Sequence, residues 1–291
     1  SPISSVIINE NSFTITLAPS KKQSKPNISF PNDLPITIDN LLQQKHDPTC
    51  EAKAYSHISN HYTLEGCIDF PSNSPLSMGI ALSNPSEIAE FFTHQALKKM
   101  NIQFNYPPRM HSKPQHATLL NTHRSAPLYK LVKIMLKDSN NTIANALFKT
   151  LGQHMYHTQG SWNNGNKAIQ HILTLNTPIN ASNMKLLDGA GLSRYNLCTP
   201  QQIAELLQTI EKNTMLKHYI IPALPIAGID GTLADRMPSL SAAHSFRAKT
   251  GSMTGVSNLA GFLSTAQHKN LIIVLMTQSF IPKVKEIRRW Q

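Results

Sequence analysis

Two short stretches carry side chains that can do chemistry together. Ser139-Asn140-Asn141 stands at the start of a predicted helix, and Lys249-Thr250-Gly251-Ser252 at the end of a predicted strand. A serine hydroxyl can relay a proton, and an asparagine side chain can hydrogen-bond an amide. A lysine supplies positive potential toward a carboxylate, which a threonine hydroxyl can also bond. A glycine lets a backbone approach closely. Each stretch also has an ordinary structural use. Ser and Asn cap helices, and Lys-Thr-Gly suits a passage from strand to turn. Their order and separation, 249 − 139 = 110 residues, set the pair apart.

Such residues need a helix start and a strand to position them, and the patterning supplies both. Residues 1 to about 83 read as β-rich, with candidate strands at 4–8, 12–17, 61–69 and 76–82. Val6-Ile7-Ile8 and the alternating Ser12–Leu17, around Asn9-Glu10-Asn11, predict a hairpin. Pro19–Asp39 reads as a loop or a meander of short strands. From Pro85 the period changes: Ile88, Phe91, Phe92, Leu97 and Met100 recur at helical spacing after Asn84-Pro85. Residues 107–126 read as a polar connector.

From Pro127 the chain is mostly helical. Leu128, Leu131, Val132 and Met135 form one face, and Ile143, Ala144, Leu147 and Phe148 the next. Ala168–Leu175 and Pro200–Glu211 follow, the latter with Thr199 as N-cap. Ser245–Lys249, Val256–Ser264 and Leu271–Ser279 then read as an antiparallel meander. A helical block followed by such a meander is an α+β pattern.

Composition bounds the function. The chain has 291 residues, with 27 Lys and Arg against 16 Asp and Glu, a net charge of +11. Hydrophobic residues at 40% exclude wholesale disorder. The longest apolar run, about Leu271–Met276, is far short of the ~18 residues a membrane span needs. The basic charge is scattered, apart from Lys21-Lys22 with Lys25 and the stretch Lys283–Arg289. That distribution argues against a nucleic-acid partner.

Cysteines and histidines add little by themselves. Cys50, Cys67 and Cys198 contain no Cys-x-x-Cys, so structural zinc is not expected. A Cys50–Cys67 disulfide and two ordinary thiols both fit the spacing. His57/His61 and His154/His157 have metal-compatible spacings but no accompanying carboxylate or thiolate cluster, so no metal is expected.

Ser-x-Asn followed by Lys-Thr-Gly is the back half of the set used by penicillin-recognising serine enzymes, whose front half is Ser-x-x-Lys. Further stretches carry a closer likeness. They are Ser125-Ala126-Pro127-Leu128, Lys137–Asn141, Asp188–Arg194, Leu224–Leu233, Ala248–Ser252 and Asn258-Leu259-Ala260-Gly261. With these the chain resembles the C-terminal part of the penicillin-binding protein 4 type D-alanyl-D-alanine carboxypeptidases/endopeptidases, the DacB-like serine peptidases.

The resemblance implies part of a transpeptidase/β-lactamase-like domain at 111–291, preceded by a β-rich accessory domain at 1–110 that belongs to a family insertion. It implies Ser139, Asn141 and Lys249 as catalytic residues, and Thr250, Gly251 and Ser252 as substrate-binding residues. In the middle position Asn140 replaces the usual Asp, with little consequence expected. Asp188-Gly189 and Asp230-Gly231 read as turns that shape the cleft rim. The resemblance also implies a Cys50–Cys67 disulfide, a periplasmic location, and no metal or organic cofactor. Peptidoglycan stem peptides and β-lactams are the implied partners.

One departure stands out. The sole literal Ser-x-x-Lys, Ser182 to Lys185, lies between the other two motifs and so in the wrong order. The expected nucleophile belongs upstream of residues where the likeness begins. The chain therefore reads as a C-terminal portion that lacks the acylating serine and the first strands of its sheet, inactive alone, with the missing N-terminal segment as a further partner. A non-catalytic relative that binds peptides or a partner protein is the alternative.

Overall fold

The computed structural model describes residues 2–21, 24–31, 33–47, 49–103, 118–119, 121–237, 246–265, 267 and 270–280. It forms two compact units, Ser1–Thr122 and His123–Gln291. The boundary read from the sequence, at 110/111, lies outside the described residues, as do Lys283–Arg289.

In the first unit, alternation directs side chains inward. Strand β1 (Ser12–Ala18) buries Phe13, Ile15 and Leu17. It is central in an antiparallel sheet, between β2 (Asn27–Ser29) and β7 (Leu76–Ala81). A second sheet is built on β6 (His61–Ile68). Two strands, β3 (Thr37–Asn40) and β4 (Gln43–Gln44), pair with β6 in parallel, and β5 (Ala52–Ser56) pairs antiparallel. Tyr62, Leu64, Leu42 and Ile80 join β1 in one core, with Ile88 from helix α1 (Pro85–Lys99). Cys50 and Cys67 form a disulfide that ties the approach to β5 onto β6.

The predicted hairpin at 4–17 does not form. Val6–Ile8 is not a strand. Both edges of β1 are taken by β2 and β7. Asn9, Glu10 and Asn11 all have positive φ and form a 3-10 turn. The buried Asn11 side chain accepts from Ile8 N at 3.0 Å and donates to Pro2 O at 3.0 Å, so the leading segment is bound by a side chain. The strands at 12–17, 61–69 and 76–82 are found at 12–18, 61–68 and 76–81.

The second unit opens with helices α2 (Leu128–Lys137), α3 (Asn141–Tyr156) and α4 (Trp162–Asn176). Gly165 lets α4 lie close on α3; a Cβ there would meet the Phe148 ring at 2.5 Å. Helix α5 (Pro200–Lys212) is capped by Thr199, and α6 (Thr214–Ile220) follows. The sheet is antiparallel in the order β10 (Leu271–Gln278), β9 (Val256–Leu263), β8 (Phe246–Met253). Its faces carry different cores. Phe262, Ile272 and Val274 pack with Leu207 and Ile203 of α5. Leu259, Phe246 and Ala248 pack with Ala227 and Leu233. Mixed helix and antiparallel sheet is the α+β class read from the sequence. Among the described residues no helix is long and apolar enough to cross a membrane.

Candidate active site

Ser139 occupies the single step between two helices. Asp138 is the C-cap of α2 and Asn140 the N-cap of α3. Asn140 N donates to Met135 O at 3.1 Å, the six-to-one bond of a Schellman helix end. That motif places the residue after the C-cap in the left-handed region, where glycine is usual. Here it is Ser139, with φ of 56°. A non-glycine residue there costs roughly 1–2 kcal/mol, and such strain clusters at functional sites. Asn140 Oδ1 accepts from Ile143 N at 2.9 Å. It therefore does the capping work an aspartate would do.

Lys249 comes from β8. The sequence places Lys-Thr-Gly-Ser at a strand end, but β8 continues to Met253. The reason is cross-strand pairing: Lys249 sits opposite Ala260, Thr250 opposite Leu259, and Ser252 opposite Ser257. Alternation then puts Lys249 and Thr250 on opposite faces of the sheet. Lys249 Nζ donates to Ser139 Oγ and to Thr250 O, both at 2.7 Å. None of the ion pairs among the described residues includes it. Burial pushes its pKa below the ordinary lysine value.

A strap of chain, 224–233, holds these parts together. Ala227 N donates to Phe246 O and Ala248 N to Pro225 O, both at 3.0 Å, so the strap covers the first part of the outer β8 edge. Farther along, Asp230 accepts from Ile226 N at 2.7 Å and from Lys137 Nζ at 2.6 Å. Burial opposes ionisation of Asp230. The hydrogen bonds from Lys137 and Ile226 N, with the charges of Lys137 and Arg247, outweigh it and hold the carboxyl below its usual range. Gly231 follows with φ of 58°, and a Cβ there would meet Lys137 O at 2.5 Å. Thr232 then meets Thr250, hydroxyl to hydroxyl, at 2.8 Å.

A cavity of about 670 Å³ opens at this point, lined by Ser139, Thr232, Arg236, Thr250, Gly251 and Ser252, among others. The fold thus brings together Ser139, Thr250, Gly251 and Ser252, with Lys249 behind Ser139. Asn141 is exposed in the first turn of α3 and is not among the lining residues. Ser182 and Lys185 lie elsewhere. Ser182 Oγ donates to Asn180 Oδ1 at 2.6 Å, and Lys185 sits over the Tyr195 ring.

The Asp188 turn is a separate support. Asp188 accepts from Gly191 N at 2.7 Å and Ser193 N at 2.8 Å, while Asn145 of α3 accepts from Gly189 N at 2.9 Å. Arg194 donates to Thr254 O at 2.7 Å, in the turn between β8 and β9.

Sequence assigns no site role to Lys137 or Thr232, and to Asp230 only a turn at the cleft rim. Their signal was position: Lys137 stands two residues before Ser139, and the other two lie in the stretch Leu224–Leu233.

No metal site emerges among the described residues, where no three His, Cys, Asp or Glu side chains gather. His61 Nε2 pairs with Asp39 at 2.7 Å and His57 Nε2 with Thr63 Oγ1 at 2.9 Å, so the two rings have separate partners. Cys198 is half-buried, and burial raises its thiol pKa.

Comparison with known proteins adds a family. The family described as D-Ala-D-Ala carboxypeptidase 3 (S13) matches residues 1–289. The chain is 32% identical over 280 residues to D-alanyl-D-alanine carboxypeptidase DacB of Haemophilus influenzae, covering 94% of this chain and 58% of that one. It is 30% identical over 198 residues to a D-alanyl-D-alanine carboxypeptidase of an Actinomadura species, covering 65% of this chain and 36% of that one. The crystal structure of penicillin binding protein 4 (dacB) from H. influenzae superposes with a TM-score of 0.84 at 32% identity, covering 95% of this chain and 62% of that one. A structure of that protein complexed with a novel β-lactam gives 0.83 at 30% identity, covering 98% and 68%. The chain therefore spans less than two thirds of the length of these curated relatives.

Proposed function

We propose, from the premise that this chain belongs to the D-Ala-D-Ala carboxypeptidase 3 (S13) family, that it carries the substrate side of a penicillin-binding serine DD-carboxypeptidase/endopeptidase. Its substrates are D-Ala-D-Ala ends and cross-linked stem peptides of peptidoglycan, and it works in the periplasm. The relatives are D-alanyl-D-alanine carboxypeptidases by name, and one was solved with a β-lactam. The observation that carries the reading is the 2.7 Å contact between Lys249 Nζ and Ser139 Oγ, across 110 residues of sequence.

The following roles fit the geometry. A peptide lies extended along the outer β8 edge at Thr250–Ser252, which has no strand partner among the described residues. Thr250 and the positive potential of Lys249 hold its terminal carboxylate. A serine oxygen gives its proton to a base of its own segment and attacks the penultimate carbonyl carbon, the C–N bond to the last D-Ala breaks, and water then hydrolyses the acyl ester and returns the serine proton. Ser139 passes a proton to the departing amine, restored through Lys249, whose depressed pKa suits exchange with a hydroxyl. Asn141, exposed at the start of α3, bonds a substrate amide from the rim.

The attacking serine comes from the part of the family's length outside this chain. Ser182-x-x-Lys185 is not a substitute, because Ser182 is bonded to Asn180 and is not among the cavity-lining residues.

A fluorescent penicillin tests the reading. The chain alone should remain unlabelled, and adding the family segment that bears Ser-x-x-Lys should restore covalent labelling. In that mixture Lys249→Ala should slow labelling by about 10²-fold or more. Labelling of the chain alone would overturn the division of roles. Unlabelled protein in every mixture would leave a non-catalytic binder.

A further inference from the structure

Thr232 has no part in the reading above, yet its hydroxyl lies 2.8 Å from that of Thr250 and both residues line the cavity. Two hydroxyls in a hydrogen bond share one proton, and each has a single proton to give. If Thr232 donates to Thr250, the Thr250 proton is left for a third group. If Thr250 donates to Thr232, the Thr232 proton is left. In either case one O–H donor is available to the cavity, and its partner is a donor whose proton is already committed.

The pair is also pre-positioned. Thr250 is fixed by its place in β8 opposite Leu259. Thr232 stands between Gly231, pressed against Lys137 O, and Leu233, which is fully buried. Gly228 N donates to Leu233 O at 2.9 Å and closes the loop beneath it. As a β-branched residue, threonine also holds its hydroxyl in few rotamers. Among the lining residues Arg236 and Asp235 carry opposite charges, and Lys249, next to Thr250 in β8, adds a positive one.

We propose that the Thr232–Thr250 hydroxyl pair is the donor that reads a ligand's terminal carboxylate, with Thr232 a specificity-determining residue of this site. The inference rests on the peptide-binding reading and deepens it. The pair supplies one donor whichever way its shared proton points, so it can follow a carboxylate oxygen as the ligand settles. A lone Thr250 would still carry one donor but would lose the partner that holds it in place.

The test titrates the ¹⁵N-labelled full chain with N-acetyl-D-alanyl-D-alanine and, separately, with its C-terminal amide, followed by amide chemical shifts. The unsubstituted chain should prefer the acid. Thr232→Val should weaken the acid about tenfold or more and leave the amide within about twofold, since the Thr250 hydroxyl loses the partner that holds it toward the charged group. Thr232→Ser should keep the acid preference within about threefold, because the hydroxyl remains. If Thr232→Val binds the acid normally while Thr250→Val does not, Thr232 is excluded and the peptide site stands. Loss of acid and amide alike in Thr232→Val, unrescued by serine, would make Thr232 a structural residue and overturn the proposal. If the unsubstituted chain binds neither ligand, the peptide-site reading falls and takes this inference with it.

Discussion

Asn60 in the first unit and Lys249 in the second are polar groups, one fully and one partly buried, in different company. Asn60 is fully buried. Its Nδ2 donates to Asn84 O and Glu87 Oε2, both at 3.0 Å, and its Oδ1 accepts from Asn84 N at 2.9 Å. That network closes on itself and fixes the chain entering α1. Lys249 is charged in its ordinary state but among the described residues it meets a hydroxyl and a carbonyl, beside an open cavity. A buried polar group satisfied on all sides builds a fold. A charge left with neutral partners at a cavity marks a site.

Left-handed backbone makes the same contrast. Asn60 and Ser139 have φ of 53° and 56°. The first spends its side chain on local structure, the second gives its hydroxyl to Lys249. Positive φ alone does not distinguish them; the destination of the side chain does.

The contrast can be broken or sharpened by substitution. The largest effect is expected in the packed unit, where Leu64→Ala opens a hole at a fully buried position and should cost about 2–5 kcal/mol. Urea unfolding measures this, and peptide binding at Ser139 should survive where the chain stays folded. Next comes the Cys50–Cys67 bridge, across a separation of 17 residues. Reducing it should lower stability by about 3 kcal/mol, seen as a lower urea midpoint in reductant; an unchanged midpoint would show that the sheet core needs no staple.

In the second unit Asp230→Asn should cost about 1 kcal/mol, a low figure because Asp230 is more than a third exposed and solvent screens the pair. The pH dependence has a definite sign. Asp230 titrates lower in the folded chain than in the unfolded one, so its contribution is full above the ordinary value of 3.8 and is lost as pH falls through the folded value. The asparagine variant should lack that part of the acid loss in thermal unfolding. Parallel curves for the two proteins would argue against a working Lys137–Asp230 pair.

Ser139→Gly should separate strain from function. Glycine relieves the left-handed residue, so stability should hold or rise by up to about 1 kcal/mol, while penicillin labelling in the mixture with the Ser-x-x-Lys segment slows. Unchanged labelling would show that the hydroxyl is not used. Asn140→Asp should be the mildest change, within a few tenths of a kcal/mol, since both residues cap helices well; thermal unfolding reads it, and a large shift would mean that Asn140 does more than cap α3.

Local pattern accounts for much of this molecule. Alternation at Ser12–Leu17, helical spacing after Asn84-Pro85, and Thr199-Pro200 as a helix start each settle a face or a boundary within a few residues, and each element is present. The residue types of the site were equally visible, because Ser139, Lys249 and Thr250 carry their chemistry in their side chains. Pairing partners were not visible. Val6–Ile8 has strand-like residues, but the β1 edges went to β2 and β7. Gln43–Gln44 and Ala52–Ser56 have weak strand patterns and became strands because β6 offered edges. Strand identity depends on a neighbour that may be far away in sequence.

The same division holds at the cavity. Sequence alone determined which groups could relay a proton, bind a carboxylate or admit a backbone, and it set their order. Only the tertiary structure decided that Lys249 reaches Ser139, that Lys-Thr-Gly-Ser runs inside a strand whose outer edge has no strand partner among the described residues, and that Asp230 and Thr232 hold the two sides in place. The physical reason is that a hydrogen bond between residues 110 apart leaves no local periodicity to read. It exists because packing on two faces of one sheet brings a helix end and a strand edge together.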